Sequence, residues 1–251
     1  MTEPCSADLA QWRATRLAAL TAPDGWLNLV ARIELAPGSH QVGAAQEVRL
    51  PSGPDLLGTL TLSEAGATFA RPGQAAEPFV PVPDAFPQLR VDPFLLEIHT
   101  VDGIPALRLR DLTLRPQITL RHYPDAPEWN IRAEWESFAP QASEVKMKDG
   151  SKAAVTLTHR ATFIHAGRTV TLTPTHWKSG KPMFVFRDAT AGETYPACRF
   201  LFGEAMGDSA IRLDFNRAFT PPCGFTDFAI CPLPPPGNIL PFRVEAGEKA
   251  P

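Results

Sequence analysis

The chain has 251 residues, 44% of them apolar, and a formal net charge of −3. That is enough for one large β domain or two small ones, and it lacks the basic balance that nucleic-acid binding requires. No run approaches the roughly 18 apolar residues of a membrane span. The opening MTEPCSADLAQW has neither the basic start nor the apolar core of a secretory leader. The composition therefore reads as a soluble cytoplasmic protein.

In chain order, Leu9, Trp12, Arg16 and Leu20, with Leu17 beside them, fall at helical spacing. Ser6 is placed to cap this helix and Ala22-Pro23-Asp24-Gly25 to end it, giving an arm that packs on a β core. From Leu27 to Leu35 the period becomes two, and Pro37-Gly38 marks a turn. Short strands follow at Glu47–Leu50 and Leu57–Leu62, turning at Glu64-Ala65-Gly66 into Thr68-Phe69. Arg71 to Pro93, rich in proline and alanine, reads as a long surface connection, a boundary or a lid.

The strand from Phe94, Asp102-Gly103 and the strand from Ile104 make a hairpin signal of the type I′ kind. Trp129, Ile131, Ala133 and Trp135 alternate with polar residues as a half-buried strand, and further strands fall at Ala153–Thr158 and Ala161–His165. His165–Arg168 forms a hairpin tip returning through Thr169–Thr173, and Lys178–Lys181 turns into Met183–Phe186. No second helix is signalled, and 27 prolines favour short strands joined by rigid turns. The expected fold is mainly β: an antiparallel sandwich or barrel-like set of sheets with one N-terminal α-helix. Its expected parts are a helical arm over 1–25, a small β segment over 26–93 and a main β domain over 94–251, or one continuous domain.

The outline of Leu35 to Leu62 resembles the start of a forkhead-associated domain. However, Gly43 is followed by Ala44-Ala45, and Gly58-Thr59-Leu60 stands where a Ser and His would hold a phosphate. Phosphopeptide reading is not expected.

The unusual residues gather after Phe184. Asp188, Thr190, Glu193, Thr194 and Tyr195 lie on a strand end and its following turn, with Gly192 at the bend. Arg199 follows on the next strand, and Asp214, Asn216 and Arg217 come from RLDFNRAF. Asp188, Tyr195 and Asp214 are the catalytic candidates, because a carboxylate whose pKa is raised by burial works as a general base. Thr190, Glu193, Thr194, Arg199, Asn216 and Arg217 are the ligand-binding candidates, the arginines for bidentate capture of a carboxylate or phosphate. The rival reading makes the same residues structural ion pairs and turn caps.

Four cysteines (Cys5, Cys198, Cys223, Cys231) are too few for a disulfide framework and stay thiols in a reducing compartment. No pair has the close spacing of a zinc site, even with His176 as a fourth ligand. Nothing in the sequence links a cysteine nucleophile to His159, His165 or His176. The strap Pro232–Pro236 is expected to pack across its own domain and close the sheet, over Phe219, Phe225 and Phe228.

FRDATAGETY, LDFNRAF followed by Pro-Pro-Cys, CPLPPPGNILP and AGEK resemble the C-terminal motifs of the domain of unknown function 1684 family, of bacterial type. RLRD (Arg108–Asp111) and YPDAPEWNIRAEW (Tyr123–Trp135) fit the same pattern. Pro196-Ala197-Cys198 stands where the family has small, glycine-rich residues, and Phe219-Thr220 replaces Tyr-Asn. The resemblance implies that the Asp188–Cys231 motif residues matter, and it implies no reaction.

Three functions follow as expectations: binding of, or action on, a small anionic molecule in an Asp/Arg/Tyr pocket; a non-enzymatic interaction protein with structural motifs; or a cysteine-based metal or redox site. No cofactor, metal ligand set, nucleic acid or membrane is expected. Whether the protein is an enzyme and whether it forms homo-oligomers are left open.

Overall fold

The computed structural model describes residues 7–83, 85–101 and 103–251. Cys5, the cap residue Ser6 and the hairpin residue Asp102 lie outside them. Strand makes up 47% and helix 12%, and no sheet closes into a barrel. The chain divides into two compact units, Ala19–Gln117, and Met1–Ala18 together with Ile118–Pro251. Among the described residues no helix is long and apolar enough to cross a membrane.

Helix α1 (Ala7–Thr21) is the single α-helix among the described residues. Its residues up to Ala18 belong with the C-terminal unit, where polar contacts hold it as much as apolar ones. Trp12 tilts against Phe219 at 6.4 Å, and Arg13 pairs with Asp125 at 2.9 Å. Arg16 donates from Nε to Glu248 Oε1 at 3.0 Å and from Nη2 to the Thr220 carbonyl at 2.7 Å.

The N-terminal unit holds β1 (Leu29–Glu34), β2 (Gly38–Gly43), β3 (Val48–Arg49), β4 (Gly58–Ser63), β5 (Gly66–Ala70), β6 (Glu77–Pro78), β7 (Gln88–Val91), β8 (Phe94–Val101) and β9 (Ile104–Asp111). They form two sheets, ordered β1-β9-β8-β7 and β3-β2-β4-β5-β6. Leu96, Leu107 and Leu109 of the first face Val42, Leu60 and Phe69 of the second in one apolar core, the layering expected of a sandwich. The other face of β8 and β9 is also buried: Glu97 takes Arg108 at 3.0 Å and Arg110 at 3.1 Å.

Two expectations change here. Strand β1 starts at Leu29 because Trp26–Asn28 forms a 3₁₀ turn whose Asn28 amide donates to the Asp111 carbonyl at 2.8 Å. Arg71 to Pro93 is not merely a surface connection: β6 and β7 lie in it, and Phe79 and Val91 are buried. Both strands are short and sit at sheet edges, where prolines are tolerated because the outer N–H positions carry no ladder bond.

The C-terminal unit holds β10 (Asn130–Lys146), β11 (Lys152–His165), β12 (Arg168–Leu172), β13 (His176–Lys178), β14 (Lys181–Phe186), β15 (Arg199–Phe202), β16 (Glu204–Ala205) and β17 (Ala210–Asp214). A five-stranded sheet, β12-β11-β10-β17-β16, faces a three-stranded one, β13-β14-β15. Trp135, Ala161, Leu172, Ile211 and Leu213 from the first pack with Phe184, Phe186 and Leu201 from the second. The two strands expected between Ala153 and His165 are one continuous strand, paired with β10 through a register shift between Ser137 and Gln141.

Beyond β17 the chain carries only 3₁₀ turns and isolated bridges, and it wraps the sandwich. Phe219 exchanges two backbone bonds of 2.9 Å with Phe200. Arg187 bonds to Asn238 at 3.1 Å and to Leu240 at 2.8 Å, and Tyr123 N reaches Gly247 O at 3.0 Å. The proline strap meets the end of β10, where Leu233 N donates to Lys146 O at 2.7 Å.

Candidate functional site

The carboxylate of Asp188, just past the end of β14, is fully used. Its Oδ1 accepts from Thr190 N at 3.1 Å and Thr190 Oγ1 at 2.5 Å, and Thr190 Oγ1 in turn contacts Thr194 Oγ1 at 3.0 Å. Its Oδ2 accepts from Val244 N at 2.9 Å and Arg199 Nη1 at 3.2 Å. Arg199, only 1% exposed, also donates to the carbonyls of Val244, at 3.0 Å, and Ala246. Its guanidinium lies 5.2 Å from the Phe186 ring centroid. Burial lowers the Arg199 pKa, and the neighbouring Asp188 charge is the main counterweight. A charge this buried is tolerable because its partner and the carbonyl acceptors are fixed around it.

The last motif closes this knot. A Cβ on Gly247 would fall 2.4 Å from the Ala218 carbonyl and 2.9 Å from Arg199 Nη2, and its φ is +80°, so only glycine fits. The next residue, Glu248, is buried and accepts from Thr220 N at 2.9 Å and from Arg16. Asn238 of the strap donates to the carbonyls of Thr173 and Val185, both at 2.9 Å, and accepts from Thr173 N at 2.9 Å.

The other expected site residues lie elsewhere. Glu193 is exposed, paired with Arg243 at 2.6 Å and accepting from Tyr123 Oη at 2.8 Å. Arg243 and Tyr123 hold its pKa down, while burial and the Glu193 bond push Tyr123 up to about 12. Tyr195 donates to the Cys223 carbonyl at 2.9 Å, and burial raises its phenol pKa. Asp214 caps the 3₁₀ turn Phe215–Arg217 by accepting from Asn216 N at 3.1 Å. Asn216 brackets Ala126, accepting from its N–H and donating to its carbonyl, both at 2.9 Å. Arg217 pairs with Asp214 at 3.2 Å and with Asp8.

Asp188, Thr190, Thr194 and Arg199 thus come together, but as a closed, buried network. Asp214 and Arg217, with Phe202, Glu204 and Arg212, border a crevice of about 20 Å³, room for about one water.

A larger cleft, about 320 Å³, opens at the edge where β13 and β14 meet β16, lined by Trp135, Trp177, Gly180, Lys181, Pro182, Gly203, Glu204 and Ala205. Trp135 is buried and stacks on His159 at 4.7 Å with the rings 15° apart. Trp177 is 46% exposed, 5.3 Å from His159 and 6.4 Å from Trp135 at 58°. A Cβ on Gly203 would lie 2.5 Å from Ile211 Cδ1, so glycine lets this wall lie close on the core. Glu204 is held by Arg212, which also lowers its carboxyl pKa. The Lys181 charge also acts on Glu204, to a smaller extent than Arg212. No motif in the sequence marks this cleft. Its one local signal was a tryptophan beside the Lys178–Lys181 turn, where a core residue is not needed.

No curated protein matches the sequence. The solution NMR structure of an uncharacterized protein of Haloarcula marismortui is similar, at 27% identity and a TM-score of 0.43, over 52% of this chain and 75% of that one. The model of the family described as "Protein of unknown function (DUF1684)" matches residues 118–249, just over half of the chain and the whole stretch that builds the buried Asp188–Arg199 knot and the tryptophan cleft, and the chain belongs to that family.

Proposed function

We propose that the C-terminal unit is a binding module for a small, planar, anionic organic molecule, which lies on Trp177 in the cleft and pairs with Lys181. The family motifs around Asp188, Thr190, Thr194, Arg199, Asn216 and Arg217 serve as the scaffold that fixes the two sheets. The observation that carries this reading is an exposed tryptophan beside a lysine, in a concavity about the size of a one- or two-ring molecule. A cation cage is the less favoured geometry. Trp135 and Trp177 are 6.4 Å apart and tilted, which leaves no slot between them, and the cleft's carboxylate, Glu204, is already neutralised by Arg212.

Isothermal titration with indole-3-carboxylate, its carboxamide and tryptamine tests the proposal. The carboxylate is expected to bind about fivefold tighter than the amide, the worth of one exposed charge contact of ~1 kcal/mol. Trp177→Ala is expected to abolish binding and Lys181→Met to erase the preference for the carboxylate. Equal binding of all three compounds, or binding that survives Trp177→Ala, would overturn it.

A further inference from the structure

Three buried thiols sit together in the motif region. Cys198 precedes β15, Cys223 lies in the 3₁₀ turn Pro222–Gly224, and Cys231 opens the proline strap. The Cys223 thiol neighbours those of both Cys198 and Cys231. Its backbone N–H donates to Cys231 Sγ at 3.3 Å. Two further donors converge on the Cys223 carbonyl, Lys148 Nζ at 3.0 Å and Tyr195 Oη at 2.9 Å. The ammonium thereby comes close to the sulfurs.

A sulfur set between two other thiols and a lysine is the one that ionises first. The neighbouring Cys198 and Cys231 thiols pull the Cys223 pKa well down against the opposing effect of burial, and Cys223 together with burial pushes the other two thiols up. Such an arrangement does more than fill core volume, which three small apolar side chains would do as well. Among the described residues, no group of His, Cys, Asp and Glu has metal-holding geometry.

We propose that Cys223 and Cys231 form a peroxide-oxidisable dithiol site, with Cys223 the attacking sulfur, Cys231 the resolving one and Cys198 a bystander whose thiol is tied to the Pro232 carbonyl. The Cys223 thiolate attacks one oxygen of hydrogen peroxide and the O–O bond breaks. This leaves Cys223 sulfenic acid and a hydroxide that takes a proton to become water. The Cys231 sulfur then attacks the Cys223 sulfur and the S–O bond breaks. The departing hydroxide leaves as water with the Cys231 proton. Two thiols and one peroxide give one disulfide and two waters.

A disulfide requires the two sulfurs to close to about 2 Å. Cys231 rather than Cys198 resolves because the Cys223 N–H already donates to Cys231 Sγ at 3.3 Å, whereas Cys198 Sγ donates to the Pro232 carbonyl at 3.5 Å. Peroxide is nearly as small as water, and the flanking Asp227 and Phe228 are exposed.

The test uses the full chain in a Cys5→Ser background, treated with equimolar hydrogen peroxide, blocked with iodoacetamide and digested with trypsin. Cys198 then lies in residues 188–199, and Cys223 and Cys231 share residues 218–243. The expected product is the 218–243 peptide, unalkylated and 2 Da lighter, restored by dithiothreitol. Cys198→Ser is expected to keep it, Cys223→Ser to slow peroxide consumption at least tenfold, and Cys231→Ser to leave a dimedone-trapped sulfenic acid on Cys223. The wild-type mapping stands even if a variant fails to fold. A main product joining 188–199 to 218–243 would overturn the assigned pair. Three alkylatable thiols left after peroxide has consumed glutathione in a parallel tube would overturn the site.

Discussion

Asp188 accepts from four donors and Arg199 gives to three oxygens, all inside the core. Neutralising one partner leaves the other charge buried without compensation, and this sets the scale of the effect. Asp188→Asn is expected to lower stability by ~3 kcal/mol, read as a shift of the urea midpoint. Adding Arg199→Met should recover part of that loss, because the stranded guanidinium is gone. Indole-3-carboxylate affinity, measured where the variant is still folded, should be unchanged if the knot is scaffold. A loss of affinity without a loss of stability would instead return Asp188 to the site.

His99 behaves differently. It is buried, its Nδ1 has no hydrogen-bond partner, and burial, followed by the charge of Arg108, lowers its pKa to about 4. The unfolded chain takes up this proton near pH 6.5 while the folded chain resists until about pH 4. Its contribution is therefore intact above pH 6.5 and falls away as the pH drops towards 4. Stability at pH 5 is expected to be ~2 kcal/mol below that at pH 7.5 on account of this group. His99→Gln should flatten that part of the urea-midpoint profile, and an equally steep profile in the variant would assign the fall to other groups.

At the scale of elements, the docking of α1 turns on Arg16. Its guanidinium is the cation for Glu248, whose side chain is fully buried, and it also caps the Thr220 carbonyl. Arg16→Ala is expected to cost ~2–3 kcal/mol, mostly the cost of an uncompensated carboxylate. Arg16→Ala with Glu248→Gln should be the more stable of the two variants, since the amide needs no cation. Denaturation of the full chain followed by tryptophan fluorescence decides it, and additive losses would mean that the pair is not coupled.

The helix itself was legible from the spacing of Leu9, Trp12 and Leu20, whereas the role of Arg16 was not. In the sequence it reads as one more position of the apolar stripe, and its partner lies 232 residues away. The alternation Trp129-Ile131-Ala133-Trp135 was legible for the same reason as the helix, because a period of two is local information. β6 and β7 were not, because an edge strand of two to four residues among prolines carries too little periodicity to register.

The same limit operates across the whole molecule. Mainly antiparallel strands follow from alternating apolar residues, and the crowding of Asp, Arg and Tyr after Phe184 was plain. Whether those groups opened onto solvent or closed on one another depended on Val244, Ala246 and Gly247, residues with no chemistry of their own that supply carbonyls, an N–H and space. The tryptophan cleft was hidden for the opposite reason: its lining comes from β10, β13, β14 and β16, so no stretch of sequence carries it.

The chain path has a further consequence. The family match begins at residue 118, yet the compact unit it belongs to includes Met1–Ala18. Residues 118–251 alone would keep both sheets and the Asp188–Arg199 knot but would leave the Glu248 carboxylate without Arg16, and Asp125 without Arg13. This fragment is expected to fold with a urea midpoint well below that of the intact unit, because those charges then face only solvent and backbone. Adding a synthetic peptide of residues 7–21 at millimolar concentration should raise the midpoint, through binding to the folded form alone. The same peptide with Arg16→Ala should do so far less. If the fragment unfolds at one midpoint with either peptide or none, the docked helix contributes nothing to this unit, and the Arg16–Glu248 pair is not the tie described above.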